Sequence, residues 1–311
     1  MPFKLSVGEA VPSGLRRIAT EELQSAAALL QNCTPHTRDD AIHEARKSLK
    51  KTRALLRLIS PSLAGNYRQE NESLGDLGRK LSEFRDAAAM IEILDQFRKE
   101  YRESNRGRVP AVIRQELLRQ KRAQTQSPAI VDAVRSTSVA LTDAAGRVSG
   151  WPIEGDGFET IAAGLAKTYR RGRKGMAATR GNTAADYVHD WRKRAKAHWY
   201  HIRLLEEIWD SRLALHERSL KRLETLLGDH HNLEVLCQKL SANAAAMANE
   251  RVRAYIEDMR EYQRQLRRQA LALGRQVYAA TPARFLARAE QLWGLWQARA
   301  PVSDGSRLTA A

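Results

Sequence analysis

The sequence repeats itself over a long stretch at one fixed spacing. When residues 37–94 are aligned without gaps with residues 183–240, at an offset of 146, 13 of the 58 positions are identical. The identities include leucines at three- and four-residue intervals, which are typical of a buried helix face, and a set of basic residues. A Thr-x-x-Asp helix-start pattern opens both copies, at 37–40 and 183–186. The chain is therefore constrained to fold as two related helical halves.

The remaining segments also have helical patterns, because Ala, Leu, Glu, Gln, Lys and Arg dominate and β-branched alternation is scarce. We predict an all-α fold. The predicted helices span 14–31, 37–60, 66–103, 109–125, 128–146, 158–171, 183–210, 212–241, 245–279 and 282–299. The Gly- and Pro-rich segment 147–157 predicts a linker between repeats at 10–146 and 158–300. RRGRKG at 170–175 predicts a second turn, and 301–311 a loose C-terminal tail.

The basic identities form a stripe along each repeated helix. In the first copy, one arc of about 120° on the helical wheel carries His43, Arg46, Lys47, Lys50, Arg53 and Arg57. In the second copy, the same arc carries His189, Arg192, Lys193, Lys196 and Arg203. No acid lies on the first arc between His43 and Arg57, so like charges one turn apart repel one another unless an anion compensates them. Because the stripe recurs in the same register, we interpret it as a polyanion-binding surface rather than a solvated helix face.

The overall charge agrees with an anionic partner. The chain has 52 Lys and Arg against 36 Asp and Glu, a formal net charge of +16, which attracts nucleic acid, anionic membranes and polyphosphates alike. Cys33 and Cys237 lie far apart, so neither a disulfide framework nor a zinc knuckle is indicated. No apolar run has the length of a signal peptide or a membrane span, which predicts a cytoplasmic protein.

Four segments together resemble the CHAD family, which is named for conserved histidines in an α-helical domain. HEARKSLKKTRALLR at 43–57 resembles the first signature of the family, and HDWRKRAKAHWYHIRLL at 189–205 resembles the second. LSEFRDAAAMIEIL at 81–94 is similar to an L-G-x-x-R-D-x-x-V segment, and YRRGRKGM at 169–176 to a basic turn before the second histidine helix. The segments occur in the family's order, and the resemblance covers roughly residues 10–300.

The resemblance implies one CHAD domain of two four-helix bundles, related by a pseudo-twofold axis, with a central basic groove or pore. It implies binding of inorganic polyphosphate, with no cofactor and no catalytic residue, and an association with polyphosphate granules. Carried over by motif, the binding set is the eleven stripe residues, with Arg85, Arg170, Arg171 and Arg173 as further candidates. The second stripe departs from the first, since Trp199 stands at the position of Arg53, and His231-Asn232 at that of Arg85-Asp86.

The two stripe histidines have a specific expected role. Histidine has an ordinary pKa of about 6.5, so the charge of His43 and His189 is expected to grow beside a bound anion. We therefore expect the affinity for polyphosphate to weaken with salt and to improve as the pH falls from 8 to 6.

Other binding functions remain as alternatives. Nucleic acid or generic polyanion binding is the main one, although stacking aromatics are few and only Trp199 lies on a charged arc. A metal site would rest on His198 with His201, or on His230 with His231, and no acid joins them at ligand spacing. We expect His198 and His201 to pack at the bundle surface. Membrane association is disfavoured, because the apolar sides of the basic helices are needed inside the bundles.

An enzymatic function is the alternative to a binding function. Triphosphate-cleaving modules that are often fused to CHAD domains carry an acidic E-x-E-x-K strand, and this sequence has no such motif. It also lacks a phosphate-binding loop and a carboxylate cluster that would hold Mg²⁺. An accessory subunit of a polyphosphate- or triphosphate-metabolising enzyme stays open.

Overall fold

The computed structural model describes residues 3–63, 66–100, 110–208 and 211–299. Within these ranges the chain is all-α, as predicted, and has no strand. The α-helices are α1 (Val11–Gln31), α2 (Arg38–Leu58), α3 (Asn66–Ser82), α4 (Asp86–Glu100), α5 (Ala111–Gln126), α6 (Pro128–Arg147), α7 (Glu159–Gly181), α8 (Ala185–Leu204), α9 (Ser211–Ser241), α10 (Ala244–Ala248), α11 (Glu250–Val277) and α12 (Pro282–Gln297). Two short 3₁₀ helices lie at Val148–Gly150 and Glu206–Ile208.

Each half contains a ring of four helices in sequential contact. In the first half α1 packs on α2, α2 on α3, α3 on α6 and α6 on α1. In the second half α7 packs on α8, α8 on α9, α9 on α11 and α11 on α7. Each ring is the packing of a four-helix bundle, and α2 and α8, which carry the charged stripes, occupy corresponding places. The pseudo-twofold axis between the halves stays a prediction.

The halves join mainly through α2, which packs on both α7 and α8, and through α4, which packs on α9. The approach of α7 to α2 is close enough to require glycine. A Cβ atom on Gly164 would lie 1.6 Å from the carbonyl oxygen of Leu58. The buried side chains of both halves form one hydrophobic core, so the two stripes are held on a continuous rigid support.

One predicted helix is divided in the structure. The segment 66–103 was expected to be continuous, but a turn at 83–85 separates α3 from α4, and 101–103 lie outside the described residues. The Ser82 hydroxyl donates to the carbonyl oxygen of Gly78 at the end of α3. Asp86 then supplies the acidic first-turn residue that favours a new helix. In the second half α9 runs through the corresponding positions without a break.

The predicted turn at 170–175 is wrong, because α7 continues through it to Gly181. Its two glycines serve helix packing instead of chain reversal. A Cβ atom on Gly172 would lie 2.3 Å from the Tyr278 hydroxyl oxygen, and one on Gly175 would lie 3.1 Å from the Trp191 ring. The absence of a side chain therefore lets neighbouring aromatic residues approach α7.

The structure describes the predicted linker between the repeats, whereas the predicted tail after them lies outside the described residues. The predicted linker at 147–157 contains the 3₁₀ helix and then non-helical chain up to α7, with Trp151 and Ile153 buried. The predicted helix 183–210 ends at Leu204, and the predicted tail at 301–311 lies outside the described residues. In the described ranges, no helix combines the length and the apolar character needed to cross a membrane.

Candidate polyanion-binding site

The helices α2 and α8 meet near Ala54 and His201. The His201 Nε2 atom lies 2.7 Å from the Ala54 carbonyl oxygen, a contact in which the ring nitrogen donates. His198 and His201 are fully buried, so the expectation that they lie at the bundle surface is wrong. The reason is that α8 packs on α2, α7 and α9 at once. In the described residues, no group of three or more His, Cys, Asp and Glu is arranged to hold a metal ion.

The meeting of α2 and α8 brings four stripe residues together. We call Arg46, Lys50, Arg192 and Lys196 the cationic cluster. Burial, and then repulsion by Lys196, Arg46 and Arg192, lowers the pKa of Lys50 to about 7. Lys50 nevertheless exposes part of its surface to solvent. This combination is typical of a cation in a concave, water-accessible surface, where protein atoms replace much of its hydration.

The members of the cationic cluster are held in different ways. Arg46 donates to the carbonyl oxygen of Gly78 at 3.3 Å and to the Ser82 hydroxyl. Lys196 Nζ lies 2.6 Å from a carboxylate oxygen of Glu224. Lys50 and Arg192 have no hydrogen-bond or ion-pair partner in the part of the chain that the structure describes, and the Nε atom of Arg192 is buried. Neither of these two cations is therefore directly paired with an acid, although the charge of Glu224 favours the charged form of both.

A basic cavity of about 500 Å³ lies beside the C-terminal part of the first stripe. Seven cations from α2, α3, α7 and α8 line it, and none of the described residues that line it is an acid. The cations are Arg53, Arg57, Arg79, Lys167, Arg171, Lys193 and Arg194. The hydroxyl groups of Ser60, Tyr67 and Thr168 add hydrogen-bonding capacity. The structure thus brings four predicted residues, Arg53, Arg57, Arg171 and Lys193, to one concave surface.

The two arginines of α2 in this cavity are positioned without a carboxylate. Arg53 Nε donates to the side-chain oxygen of Asn71 at 3.1 Å, and Arg57 donates to the carbonyl oxygen of Arg53 at 3.3 Å. Burial lowers the pKa of both guanidinium groups, with a further contribution from neighbouring cations. Both groups stay protonated at any physiological pH. Each therefore offers a positive charge to an anion that enters the cavity.

Contacts around the stripes recur at positions 146 residues apart, but their chemistry differs. Arg85 lies 3.2 Å from His43 Nδ1, and the corresponding His231 Nδ1 lies 3.0 Å from His189 Nδ1. Arg53 contacts Asn71, and the corresponding Trp199 Nε1 donates to Glu217 at 2.7 Å. A third pair does not recur, because Gly78 contacts Arg46, whereas the corresponding Glu224 pairs with Lys196, the counterpart of Lys50. The register of the repeat is therefore kept in three dimensions, while the second stripe gains acids and loses charge.

The other predicted residues lie outside the cationic cluster and the basic cavity. Lys47 pairs with Glu44 at 3.0 Å, and Arg85 pairs with Glu92 at 2.6 Å. The Arg203 guanidinium lies 5.3 Å from the centre of the Trp199 ring. Arg170 and Arg173 are exposed on α7 and do not line the cavity.

The surroundings of both stripe histidines disfavour their charged forms in the free protein. Burial, and then the charge of Arg85, lowers the pKa of His43. Burial, and then the charge of Lys193, lowers the pKa of His189. The gain of charge beside a bound anion therefore stays a prediction for both rings. Lys50 is a further stripe residue whose pKa, about 7, falls between pH 8 and 6.

The family model of the CHAD domain matches residues 21–241, which is 221 of the 311 residues. The chain belongs to the CHAD domain family. The match includes both stripes, the cationic cluster and all residues that line the basic cavity. Helices α11 and α12 of this CHAD protein lie beyond it.

A solved structure supports the CHAD fold over a longer range. The crystal structure of the CHAD domain from the plant Ricinus communis is similar with a TM-score of 0.53. The two chains are 16% identical, and the similarity covers 90% of this chain and 94% of that one. Among curated proteins, no sequence matches this chain significantly. The structural likeness shows a shared fold, so the function has to be argued from the site of this CHAD domain.

Sequence reasoning missed three of the seven cations in the basic cavity. Arg79 and Arg194 lie outside the repeated arc and gave no signal in the alignment. Lys167 and Arg171 lie one turn apart on one continuous helix, a spacing that places them on one face. The predicted turn at 170–175 obscured this relation.

Proposed function

We propose that this CHAD domain binds inorganic polyphosphate, without cleaving it, at the basic cavity and the cationic cluster. The observation that carries the proposal is the basic cavity itself, in which seven cations from four helices surround about 500 Å³. Arg79 pairs with Asp76, and Lys193 and Arg194 pair with Asp190, whereas the other four cations have no carboxylate partner among the described residues. Grouping so many like charges costs free energy unless an anion compensates them. A ligand with closely spaced negative charges fits this surface.

Polyphosphate suits the chemistry of the lining residues. The polymer has a repeating anionic edge and no bases, so charge and hydrogen-bond geometry are sufficient for its recognition. Arginine supplies a planar fork that matches two phosphate oxygens, and lysine supplies a mobile point charge. The path along α2 from Lys50 in the cationic cluster to Arg57 in the basic cavity is about 10 Å, at ~1.5 Å per residue. The two surfaces can therefore bind successive phosphate units of one chain.

Nucleic acid is the alternative ligand, and one contact disfavours it. Single-stranded nucleic acid is usually bound through aromatic side chains that stack on the bases. Trp199, the aromatic residue on the stripe, is 8% exposed, and its Nε1 atom donates to Glu217. Its ring faces Arg203 and Lys221. A base cannot reach this ring without displacing those cations.

A competition experiment tests the proposal. Long-chain polyphosphate and DNA of equal total charge are titrated into the protein at physiological salt. We expect tighter binding of polyphosphate, which the triple variant Arg53→Gln, Arg57→Gln and Lys193→Gln weakens by at least about tenfold. The control variant Arg251→Gln and Arg275→Gln removes charge from exposed positions of α11. Equal affinity for the two polymers, or equal binding by the two variants, would contradict the proposal.

The absence of catalysis and the cellular role need their own measurements. Incubation with polyphosphate and Mg²⁺ should release no phosphate above a blank, and release that the triple variant abolishes would overturn the non-catalytic role.

We also propose association with polyphosphate granules in the cytoplasm. A fluorescent fusion of the wild-type chain should colocalise with granules, and the triple variant should not. Localisation of both to the same sites would favour an accessory role through a protein partner.

A further inference from the structure

A second cavity, of about 590 Å³, lies in the second half between α9, α11 and the start of α8. Four arginines of α11 line it: Arg260, Arg264, Arg267 and Arg268. Their spacing of four, seven and eight residues places them on one face of the helix. This arginine cavity shares no residue with the basic cavity, and α11 lies outside the residues that match the CHAD family model.

Three of the four arginines pair with acids of their own helix, and Arg267 has no ion-pair partner among the described residues. Arg260 pairs with Glu257, and Arg264 and Arg268 both pair with Glu261. These are pairs between partly exposed residues of the same helix, and such pairs contribute little and exchange readily. Arg267 donates to the carbonyl oxygens of Thr179 and Asn182, and its Nε atom is buried without a hydrogen-bond partner among the described residues. Arg267 therefore brings a positive charge with no carboxylate to offset it.

Two further groups of the arginine cavity suit an anion. His230 lines it, is 7% exposed, and its ring has no hydrogen-bond partner in the described part of the chain. Neither ring nitrogen is among the fully buried atoms that lack a partner, so the ring can donate a hydrogen bond to a ligand in the cavity. The start of α8 also lines the cavity through Thr183 and Ala185, and no side chain caps it. The N–H groups of Ala185 and Asp186 are thus available to an anion, while that of Tyr187 donates to the Ala184 carbonyl oxygen.

The one acid that lines the cavity is already engaged. Glu234 accepts hydrogen bonds from the amides of Gln238 and Gln263, each at 2.9 Å. Neither of its oxygens forms a described ion pair with the four arginines. The cavity therefore combines four positive charges with one carboxylate that amide groups hold in place.

We propose that the arginine cavity is a second anion site, which binds a compact phosphate group through Arg264, Arg268 and the ring of His230. Arginine forks match phosphate oxygens two at a time, and a neutral imidazole donates one further hydrogen bond. The phosphate comes either from a small free molecule or from the end of a polyphosphate chain. The site does not depend on the function proposed for the basic cavity.

The test uses pyrophosphate as the small probe and long-chain polyphosphate as the polymer. The variant Arg264→Gln with Arg268→Gln is compared with the control Arg251→Gln with Arg275→Gln, which removes the same charge from the same helix. We expect calorimetry to show that the cavity variant binds at least one of the two probes about tenfold or more weakly than the control does. The ring resonances of His230 should also shift on titration of the full-length protein. Loss for pyrophosphate identifies a free phosphate, and loss for the polymer alone identifies a chain end.

The proposal is overturned if both probes bind the two variants equally, or if the His230 resonances stay unchanged at saturation. The triple variant of the basic cavity separates the two sites. It should retain the His230 shift with whichever of the two probes shifts these resonances in the wild-type protein. Failure of the second site therefore leaves the polyphosphate proposal for the basic cavity intact, and the reverse also holds.

Discussion

Lys196 forms a 2.6 Å ion pair with Glu224, and the residue at the corresponding position in the first half is Gly78. Glu224 also lies 3.2 Å from Lys221 and is 6% exposed. The two stripes therefore differ in the charge that they offer to a ligand, although their basic residues match. Lys50 and Arg46 form no direct ion pair with an acid among the described residues, whereas a buried acid pairs with Lys196.

Substitution of Glu224→Gln should increase the affinity for polyphosphate. The change keeps the size of the side chain and releases Lys196 from a charge-assisted hydrogen bond, so we expect a gain on the order of threefold to tenfold. Calorimetry at pH 6.5 provides the measurement. Glu116→Gln on α5 changes the net charge equally outside the site and should leave the affinity nearly unchanged. An equal gain in both variants would mean that net charge alone governs binding.

Substitution of Gly78→Glu should have the opposite effect. A Cβ atom at this position would lie 4.0 Å from the nearest atom, a Leu49 methyl carbon, so the larger residue can be accommodated. The new carboxylate would lie near Arg46 and should weaken polyphosphate binding several-fold, on the order of the gain expected for Glu224→Gln. Gly78→Gln supplies the same bulk without charge and serves as the control. If the two substitutions weaken binding equally, bulk rather than charge is responsible.

Lys50 should make polyphosphate binding depend on pH near neutrality. Its pKa of about 7 in the free protein means that it is largely neutral at pH 8.5 and charged at pH 6. A bound polyanion favours the charged form, so the affinity should rise as the pH falls, by at most about tenfold per pH unit. Lys50→Arg keeps the charge at every pH and should flatten the profile. Because the ligand titrates equally in both experiments, an unchanged profile in this variant would exclude Lys50 as the cause.

The buried histidines should make the fold less stable in acid. Burial lowers the pKa of His198 well below its usual value and those of His201 and His230 to about 4. As the pH falls from 6.5 towards 4, the unfolded chain binds protons that the folded chain does not. The free energy of unfolding should therefore fall by up to about 1.4 kcal/mol per pH unit for each histidine. Urea denaturation between pH 7.5 and 4.5 measures this loss.

Two substitutions distinguish the contributions of His198 and His201 to stability. Neither ring nitrogen of His198 has a hydrogen-bond partner in the described ranges, so His198→Leu should preserve or raise stability at pH 7.5 and reduce the pH dependence. His201→Leu leaves the Ala54 carbonyl oxygen without its donor and should cost about 1–3 kcal/mol. Equal losses in the two variants would show that His198 also has a structural hydrogen bond.

Substitution of Gly164→Ala should disrupt the joint between the halves. The added methyl group would collide with the Leu58 carbonyl oxygen, so α7 and α2 must separate. We expect a loss of about 1–3 kcal/mol or more, measured by urea denaturation. Gly146→Ala on α6 meets no atom within 4 Å and should stabilise the protein by up to about 1 kcal/mol. A small effect at Gly164 would mean that the two helices are less tightly packed than described.

The sequence predicted the helices well where helical periodicity was the only signal needed. The charged arcs and their apolar opposite sides predicted α2 and α8, because helical periodicity is a property of the nearest neighbours along the chain. The glycines of α7 were interpreted as a turn, since their role depends on Tyr278 and Trp191, which are distant in sequence. The break after Ser82 was missed for a related reason, because the leucine pattern continues across it.

The residues of the candidate site also divide into those that the sequence predicted and those that it did not. The repeat predicted which basic side chains of α2 and α8 share one face of their helix, and those residues include all four members of the cationic cluster. It did not predict Arg79, Lys167 and Arg194, which reach the basic cavity from other helices or another face. Nor did it predict the carboxylate of Glu224 beside Lys196, or the burial of His198 and His201.

The sequence by itself determined that this protein is a helical repeat with two matched basic stripes, because helix periodicity and residue charge are encoded locally. Only the tertiary structure decided which of these charges remain available to a ligand. Ion pairing, desolvation and pKa depend on residues that different helices bring within a few ångströms. Lys50 and Lys196 are identical in the repeat, and they differ because Lys196 forms a direct ion pair with Glu224 of α9 and Lys50 does not.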